Sequence, residues 1–331
     1  MEHIKARGVN DAWYQAVVLI RKIGEECGSR NGRVLVAPCP VITTYTHPNE
    51  RVLFDPLRDA NPIFHLHEAL WMLAGRDDAR WLDQFVHDFS ERYAEKDGHM
   101  HGAYGYRWRR HFYYDQLKKV IEILKDDPNS RQAVIQMWDA DEDLGIVGLK
   151  DRPCNTQIYL RMDRGYLDMA VTCRSNDIVW GCYGANAVHF SILQEYLATM
   201  LDIPMGRLTQ FSWNWHMYIS ASHLAHSESA YEYISKFNPA KTIDMINDPE
   251  HFDTELIQYC SSPTSASPDN QKNELLRYHN TFFTGTAFPM WEANRLRKRK
   301  DWDTAFAAAS AIEAPDWRKA TIEWLQRRLP K

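Results

Sequence analysis

The order of strand and helix signals predicts an α+β fold with a mixed sheet, and three observations carry that expectation. Residues 156–162 and 166–173 are β-rich runs separated by Asp163-Arg164-Gly165, a hairpin signal with a three-residue loop. Residues 186–201 read as a long, buried helix set between strand-like stretches. Strands and helices mix without the regular βαβ alternation that a parallel sheet requires.

The elements follow in chain order. Residues 11–26 carry apolar positions at helical spacing and stop at Cys27-Gly28, and residues 34–42 read as extended. Residues 63–75 form an apolar helix closed by Gly75, so the polar pair His67 and Glu68 inside it needs an explanation. Residues 98–109 are a Gly/Tyr/Trp-rich loop, 114–125 an amphipathic helix ending near Pro128, and 133–138 a strand. After the 186–201 helix, residues 208–218 return to strand character and 222–236 read as helical. Beyond residue 238 the texture changes: 261–272 is a Ser/Pro/Asn-rich loop, and 302–327 read as one or two helices behind the basic run 295–300. The expected organisation is a catalytic core over 1–237 and a C-terminal part over 238–331, made of that loop and a helical extension packed on the core.

Composition narrows the function classes. In 331 residues, 39 Lys and Arg stand against 44 Asp and Glu, a net charge of −5. The whole molecule is therefore no polyanion-binding cation, and a phosphate must be met by a local arginine cluster. No apolar run approaches a membrane span and the first residues lack a signal-peptide stretch, which leads to the expectation of a cytoplasmic protein. Cysteines at 27, 39, 154, 173, 182 and 260 show no CxxC pairing, which argues against a disulfide framework or a zinc knuckle. Asp139-Ala140-Asp141-Glu142-Asp143 lacks an acid at the twelfth calcium-loop position, Lys150, and His223-x-x-His226 lacks a third ligand, so no metal is expected. The run Arg295–Lys300 reads as the solvated end of a helix rather than a nucleic-acid site. The 12 Trp, 16 Tyr and 13 Phe serve either core or pocket wall; composition leaves the choice open.

Several motifs carry chemistry beside a plainer reading. Cys154, after Arg152-Pro153, is either a small hydrophobe before a strand or a nucleophile. The second reading needs a nearby cation to favour thiolate, and a chain reversal at 163–165 would return Arg174 to the end of the sheet that holds Cys154. Arg174 and Ser175 offer a fork and a hydroxyl for a phosphate, and Asp177 beside Trp180-Gly181 suits a flat heterocycle with N–H donors; the same segment also fits a solvated turn. Glu68 either faces a core, where it must be paired, hydrated or catalytic, or faces solvent. Alternation sends His216 and Tyr218 to one face of a strand, where both could reach one sugar hydroxyl, although a strand His also serves structure alone.

In order and spacing these segments resemble the thymidylate synthase family, which includes the pyrimidine nucleotide hydroxymethylases. The likeness runs over about residues 15–225: Ser29-Arg30-Asn31-Gly32, His67-Glu68-x-Leu70-Trp71-x-Leu73-x-Gly75, Ala103-Tyr104-Gly105-x-x-Trp108-Arg109, Ser130-Arg131, Pro153-Cys154, Arg174-Ser175-x-Asp177 and His216-x-Tyr218. The resemblance implies a mixed sheet that packs against its partner in a homodimer. It implies catalytic roles for Cys154 as nucleophile, Glu68 in proton and water handling, Tyr104 and Asn186. Arg30, Arg174, Ser175 and the partner's Arg131 would hold phosphate, Ala185 or Asn186 the base, and His216 and Tyr218 the ribose. Asp177, Trp180 and Gly181 would meet 5,10-methylenetetrahydrofolate as co-substrate. Trp71, Tyr104, Trp108, Trp180 and Tyr218 would line a pocket for two flat rings.

The departures bear on the product. Family synthases follow the Gly with Leu-Pro-Phe-Asn, whose Asn reads uracil; here Gly181-Cys182-Tyr183-Gly184-Ala185-Asn186 is one residue longer. Counting forward from Cys154 puts Ala185 in the base-reading position, and counting back from His216 puts Asn186 there. Gln132 and Asn155 replace an expected Arg and His, and a long charged C-terminus stands where synthases carry a short closing tail. The expected activity is folate-dependent C5 hydroxymethylation of a cytidylate, CMP or dCMP, through Cys154 addition to C6 and final addition of water. Thymidylate synthesis from dUMP, dUMP hydroxymethylation and a non-catalytic nucleotide- or RNA-binding homologue are the alternatives. Neither membrane nor nucleic acid is expected as a partner.

Overall fold

Alternation of buried and exposed residues along Met205–Tyr218 makes this segment the central strand of a mixed sheet. The computed structural model describes residues 1–226, 241–261, 273 and 276–330. Most of the helix expected over 222–236 and of the loop expected over 261–272 lies outside the described residues. The chain folds as two compact units, Met1–Ala60 with Arg107–Asn238 and Asn61–Tyr106 with Pro239–Lys331. These boundaries differ from a division at residue 237, because the segment carrying Glu68 and Tyr104 packs with the C-terminal helices.

In chain order the strands are β1 (Glu2–Ala6), β2 (Glu25–Ser29), β3 (Gly32–Val36), β4 (Val41–Tyr45), β5 (Val134–Gln136), β6 (Asn155–Asp163), β7 (Tyr166–Asp177) and β8 (Met205–Tyr218). The longer helices are α1 (Val9–Ile23), α2 (Pro62–Leu73), α3 (Gln116–Asp126), α4 (Asn186–Met200), α5 (Pro249–Ser261), α6 (Phe288–Lys298), α7 (Trp302–Ser310) and α8 (Pro315–Gln326).

All strands belong to the first unit, in the order β1-β4-β8-β7-β6-β5, with β3 also pairing β8 and β2 pairing β3. The β1–β4 and β7–β8 pairs are parallel and the others antiparallel, which gives the mixed α+β sheet that the sequence predicts. Helices α1 and α4 pack against its strands, and α4 is buried almost throughout, including Phe190, Leu193 and Tyr196. Tyr159, Phe211 and Trp213 carry the parity of the opposite sheet face, where Tyr159 and Trp213 are exposed.

Three local expectations shift. The β6–β7 loop has two residues, not three: Asp163 pairs with Tyr166, and Arg164 and Gly165 take φ of 52° and 81°, the left-handed pair that suits strand twist. Helix α1 stops at Gly24, whose N–H bonds to Ile20, so Cys27-Gly28 lies within β2 rather than at a helix end. Residues 104–111 wind into short helical turns where a loop was expected.

In the second unit, α2 packs against α5, α6 and α8. Asn61 caps α2 by accepting from Phe64 N–H at 3.1 Å, Pro62 occupies its first turn, and Gly75, at φ 72°, ends it. Gly105 has a steric reason: a Cβ there would stand 1.8 Å from the Met72 carbonyl oxygen, so only glycine lets this turn approach the end of α2.

Candidate active site

The β6–β7 hairpin brings Cys154 and Arg174 together. Asn155 pairs with Cys173, and Arg174 N–H donates to the Cys154 carbonyl at 2.8 Å. The Arg174 side chain folds back over this segment, donating from Nε to the Pro153 carbonyl at 3.0 Å and from Nη2 toward Cys154 Sγ at 3.9 Å. Its guanidinium lies 5.4 Å from the centre of the Trp138 ring. Burial nevertheless pushes the Cys154 thiol above its ordinary value, against the pull of Arg174 and Arg30 and with Asp151 adding to the rise. The cation that the sequence analysis asked for is present, but desolvation outweighs it.

The parallel β7–β8 ladder adds the next residues at the same end of the sheet. Asp177 pairs with His216, and His216 and Tyr218 present their rings on one face, 5.4 Å apart and near-perpendicular. Strand β3 pairs Val34 with Tyr218 and Val36 with His216, so the β2–β3 turn holding exposed Arg30 joins this edge. Arg131 is exposed just before β5.

Asp177 accepts at Oδ1 from the N–H groups of Val179 and Trp180, at 2.9 and 2.6 Å, and thereby caps the following turn. Its Oδ2 is buried without a hydrogen-bond partner among the described residues, and burial raises the carboxyl against the pull of Trp180 N–H and His216. Trp180 is 51% exposed, with one face on the Arg58 guanidinium 4.5 Å from the ring centre. Arg58 is held by its Nε donating to the Val179 carbonyl at 2.6 Å. A half-open indole beside an unpartnered buried acceptor fits a flat heterocycle that carries N–H donors.

The extra residue between Gly181 and Asn186 is absorbed locally. Ile178–Ala185 winds as a wide turn in which Asn186 N–H reaches back five residues to the Gly181 carbonyl, with Gly184 outside helical geometry at φ −103°, ψ −105°. The widening leaves Asn186, not Ala185, with its side chain on β7: Asn186 Nδ2 donates to Asn176 Oδ1 at 3.2 Å. Asn176 Nδ2 donates in turn to Ser212 Oγ at 2.9 Å. Asn176 lies inside the motif that the sequence analysis singled out, but Ser212 is 36 residues away and no local spacing announces the pair.

Glu68 and Tyr104 belong to the second unit. Glu68 is half-buried on α2, and Tyr104 is half-buried at the turn that meets the helix end. The neighbouring His67 is a buried structural imidazole: Nδ1 donates to the Ile63 carbonyl at 2.7 Å, Nε2 accepts from the Tyr259 hydroxyl at 2.9 Å, and the ring stacks on Phe85. Burial lowers its pKa to about 4, so it is neutral at pH 7.

Two of the five aromatics expected to line a pocket are core residues. Trp71 and Trp108 are 2% and 1% exposed, Trp71 donating to the Asp78 carbonyl and Trp108 packing on Phe190. Metal-capable side chains gather at Asp248, His251 and His279 and at His111, Asp139 and Glu142. In the first group the imidazoles stack 4.0 Å apart and both Nδ1 atoms face Asp248 Oδ2, at 3.0 Å from His251 and 3.4 Å from His279. Among the described residues no helix is long and apolar enough to cross a membrane.

Comparison with known proteins agrees with this geometry. The thymidylate synthase family profile matches residues 24–267. The chain is 40% identical to the deoxyuridylate hydroxymethyltransferase of Pseudomonas phage M6, over 99% of this chain and 95% of that protein. It is 35% identical to the enzyme of the same name from Bacillus phage SP01, over 54% of this chain and 49% of that one. The crystal structure of thymidylate synthase from phage T4 superposes with a TM-score of 0.57 at 23% identity, covering 75% of this chain and 90% of the other, a likeness of fold. The family profile and the likeness to a phage transferase over nearly all of both chains place this chain in the thymidylate synthase family of one-carbon transferases.

Proposed function

We propose that the chain hydroxymethylates C5 of a pyrimidine nucleoside 5′-monophosphate, that the nucleotide is deoxyuridylate, and that the one-carbon unit comes from 5,10-methylenetetrahydrofolate. The observation that carries the reading is Cys154 Sγ lying 3.9 Å from Arg174 Nη2 at the sheet end that also presents Asn186 and the His216–Tyr218 pair. The name of the relative from Pseudomonas phage M6 supports deoxyuridylate over the cytidylate that the lengthened 181–186 segment suggested. An Asn side chain at the head of α4 is compatible with that base, because an amide offers an acceptor for N3–H and a donor for O4.

The chemistry follows from the residues. C5 of a pyrimidine is a poor nucleophile; addition of Cys154 Sγ to C6 converts the C5–C6 bond into an enamine that attacks through C5. Arg174, with Ser175, Arg30 and Arg131 of a second protomer, holds the phosphate and so places C6 over the sulfur. Asn186 holds the base, and His216 and Tyr218 hold the ribose. Asp177 and Trp180, with Gly181 between Trp180 and the base-reading segment, receive the folate. Bound folate supplies a carbon at the formaldehyde oxidation level, which is the level of the product. Glu68, with Tyr104, takes the family's role in moving the C5 proton and orienting the final water. Water in place of hydride at the last step separates hydroxymethylation from methylation.

The test is a product analysis. Incubation with dUMP, dCMP or CMP and methylenetetrahydrofolate, read by mass spectrometry, is expected to yield 5-hydroxymethyl-dUMP and tetrahydrofolate. Thymidylate with dihydrofolate would replace this reading with a synthase, and faster turnover of dCMP or CMP would return the base to cytosine.

A further inference from the structure

Asn186 can read either pyrimidine, depending on which way its amide points. Uracil presents O4 as acceptor beside N3–H as donor; cytosine presents N3 as acceptor beside the 4-amino donor. An amide with its N–H toward O4 and its oxygen toward N3–H suits uracil, and the same amide turned over suits cytosine. What fixes the sense of the amide therefore fixes the base.

The structure holds a run of buried hydrogen bonds from Ser212 through Asn176 to this amide, beside a second pair between Gln210 and Cys182. Gln210 Nε2 donates to the Cys182 carbonyl at 3.3 Å, which leaves Gln210 Oε1 to accept from Cys182 Sγ at 3.8 Å. The Ser212 hydroxyl oxygen, on the same strand two residues on, accepts from Asn176 Nδ2 at 2.9 Å. Asn176 Oδ1 is then turned toward Asn186 Nδ2 at 3.2 Å. Gln210, Cys182, Ser212, Asn176 and Asn186 are all buried. Burial also pushes the Cys182 thiol up to about 12, so the S–H remains a donor at any working pH. Gly181 lies against the last link: a Cβ there would stand 3.1 Å from Asn176 Oδ1 and 3.5 Å from Asn186 Nδ2.

We infer that Asn176 and Ser212 are specificity-determining positioning residues, which hold one N–H of Asn186 and so present its oxygen and remaining N–H to uracil rather than cytosine. Turning the Asn186 amide over would set its oxygen against Asn176 Oδ1, a repulsion that low polarity around the pair sharpens. The inference rests on the reading of Asn186 as the base-reading residue and extends it to the groups behind it.

The experiment measures equilibrium binding of dUMP and dCMP without folate, beside turnover with it, for wild type and for Asn176→Ala, Ser212→Ala and Asn176→Asp. Wild type is expected to prefer dUMP. Asn176→Ala and Ser212→Ala are expected to lower the dUMP-to-dCMP ratio by about tenfold, the worth of one hydrogen bond to a buried group. Asn176→Asp keeps an acceptor toward Asn186 and is expected to hold the ratio within about threefold of wild type. A merely structural role would weaken both nucleotides alike, so an unchanged ratio in either alanine variant that folds overturns the inference. If one variant fails to fold, the other two still decide. A wild type that binds dUMP selectively but makes no hydroxymethyl product would overturn the proposed reaction while leaving the relay to be read from binding alone.

Discussion

Arg174 Nη2 points at Cys154 Sγ from 3.9 Å, yet the thiol is held above its ordinary pKa. Burial disfavours the thiolate by more than two guanidinium groups favour it. Cys154 thus rests as a thiol, and thiolate forms as pH rises. Alkylation of Cys154 by iodoacetamide is expected to accelerate through and beyond the usual thiol range. Arg174→Leu removes a cation, raises the pKa further and should slow alkylation at pH 8. A rate independent of pH between 7 and 10 would contradict this.

Cys154→Ser should abolish turnover, by about a thousandfold or more, with an unchanged unfolding transition. Nucleotide binding should persist, since Arg174, Asn186 and the His216–Tyr218 pair remain. Residual activity within tenfold of wild type would remove Cys154 from the mechanism.

If Arg131 completes the phosphate site of a second protomer, two inactive variants should rescue one another. Cys154→Ser and Arg131→Ala, mixed after unfolding and refolded together, form mixed dimers in which one of two sites is intact. Activity should return to about a quarter of wild type, from half the dimers and half their sites. Sedimentation should show dimers throughout; a fully active monomer, or no rescue, would place Arg131 outside the site.

His67 makes stability depend on pH. Its native pKa of about 4 lies below the usual value of 6.5, so the unfolded chain takes up this proton first. The contribution is complete above pH 6.5 and declines as pH falls toward 4, which thermal unfolding between those limits should record as a falling Tm. Tyr259→Phe removes the hydroxyl that donates to Nε2 and should cost about 1 kcal/mol. His67→Phe should flatten the pH dependence over the same interval.

Gly105→Ala tests the close turn on α2. Its Cβ would overlap the Met72 carbonyl, so denaturant unfolding should show a loss of about 3 kcal/mol. A neutral effect would mean that the turn can move away from the helix end.

Much of the site is legible in the sequence because strand geometry is local. A tight turn between two β-rich runs leaves Cys154 and Arg174 side by side whatever else the chain does, and the period of two puts His216 and Tyr218 on one face. The mixed α+β sheet follows from the same elements. Tertiary structure decided what depends on distant neighbours. Whether Ala185 or Asn186 faces β7 turned on the wide turn at Gly184, which no count from either flanking motif resolves. The state of the Cys154 thiol turned on burial outweighing a cation that spacing alone could place. Trp71 and Trp108 became core rather than pocket wall because their elements bury them, although their motifs look like the rest of the site. Local periodicity specifies which residues share a strand face or a turn; burial and hydrogen-bond partners far apart in the chain are properties of the packed whole.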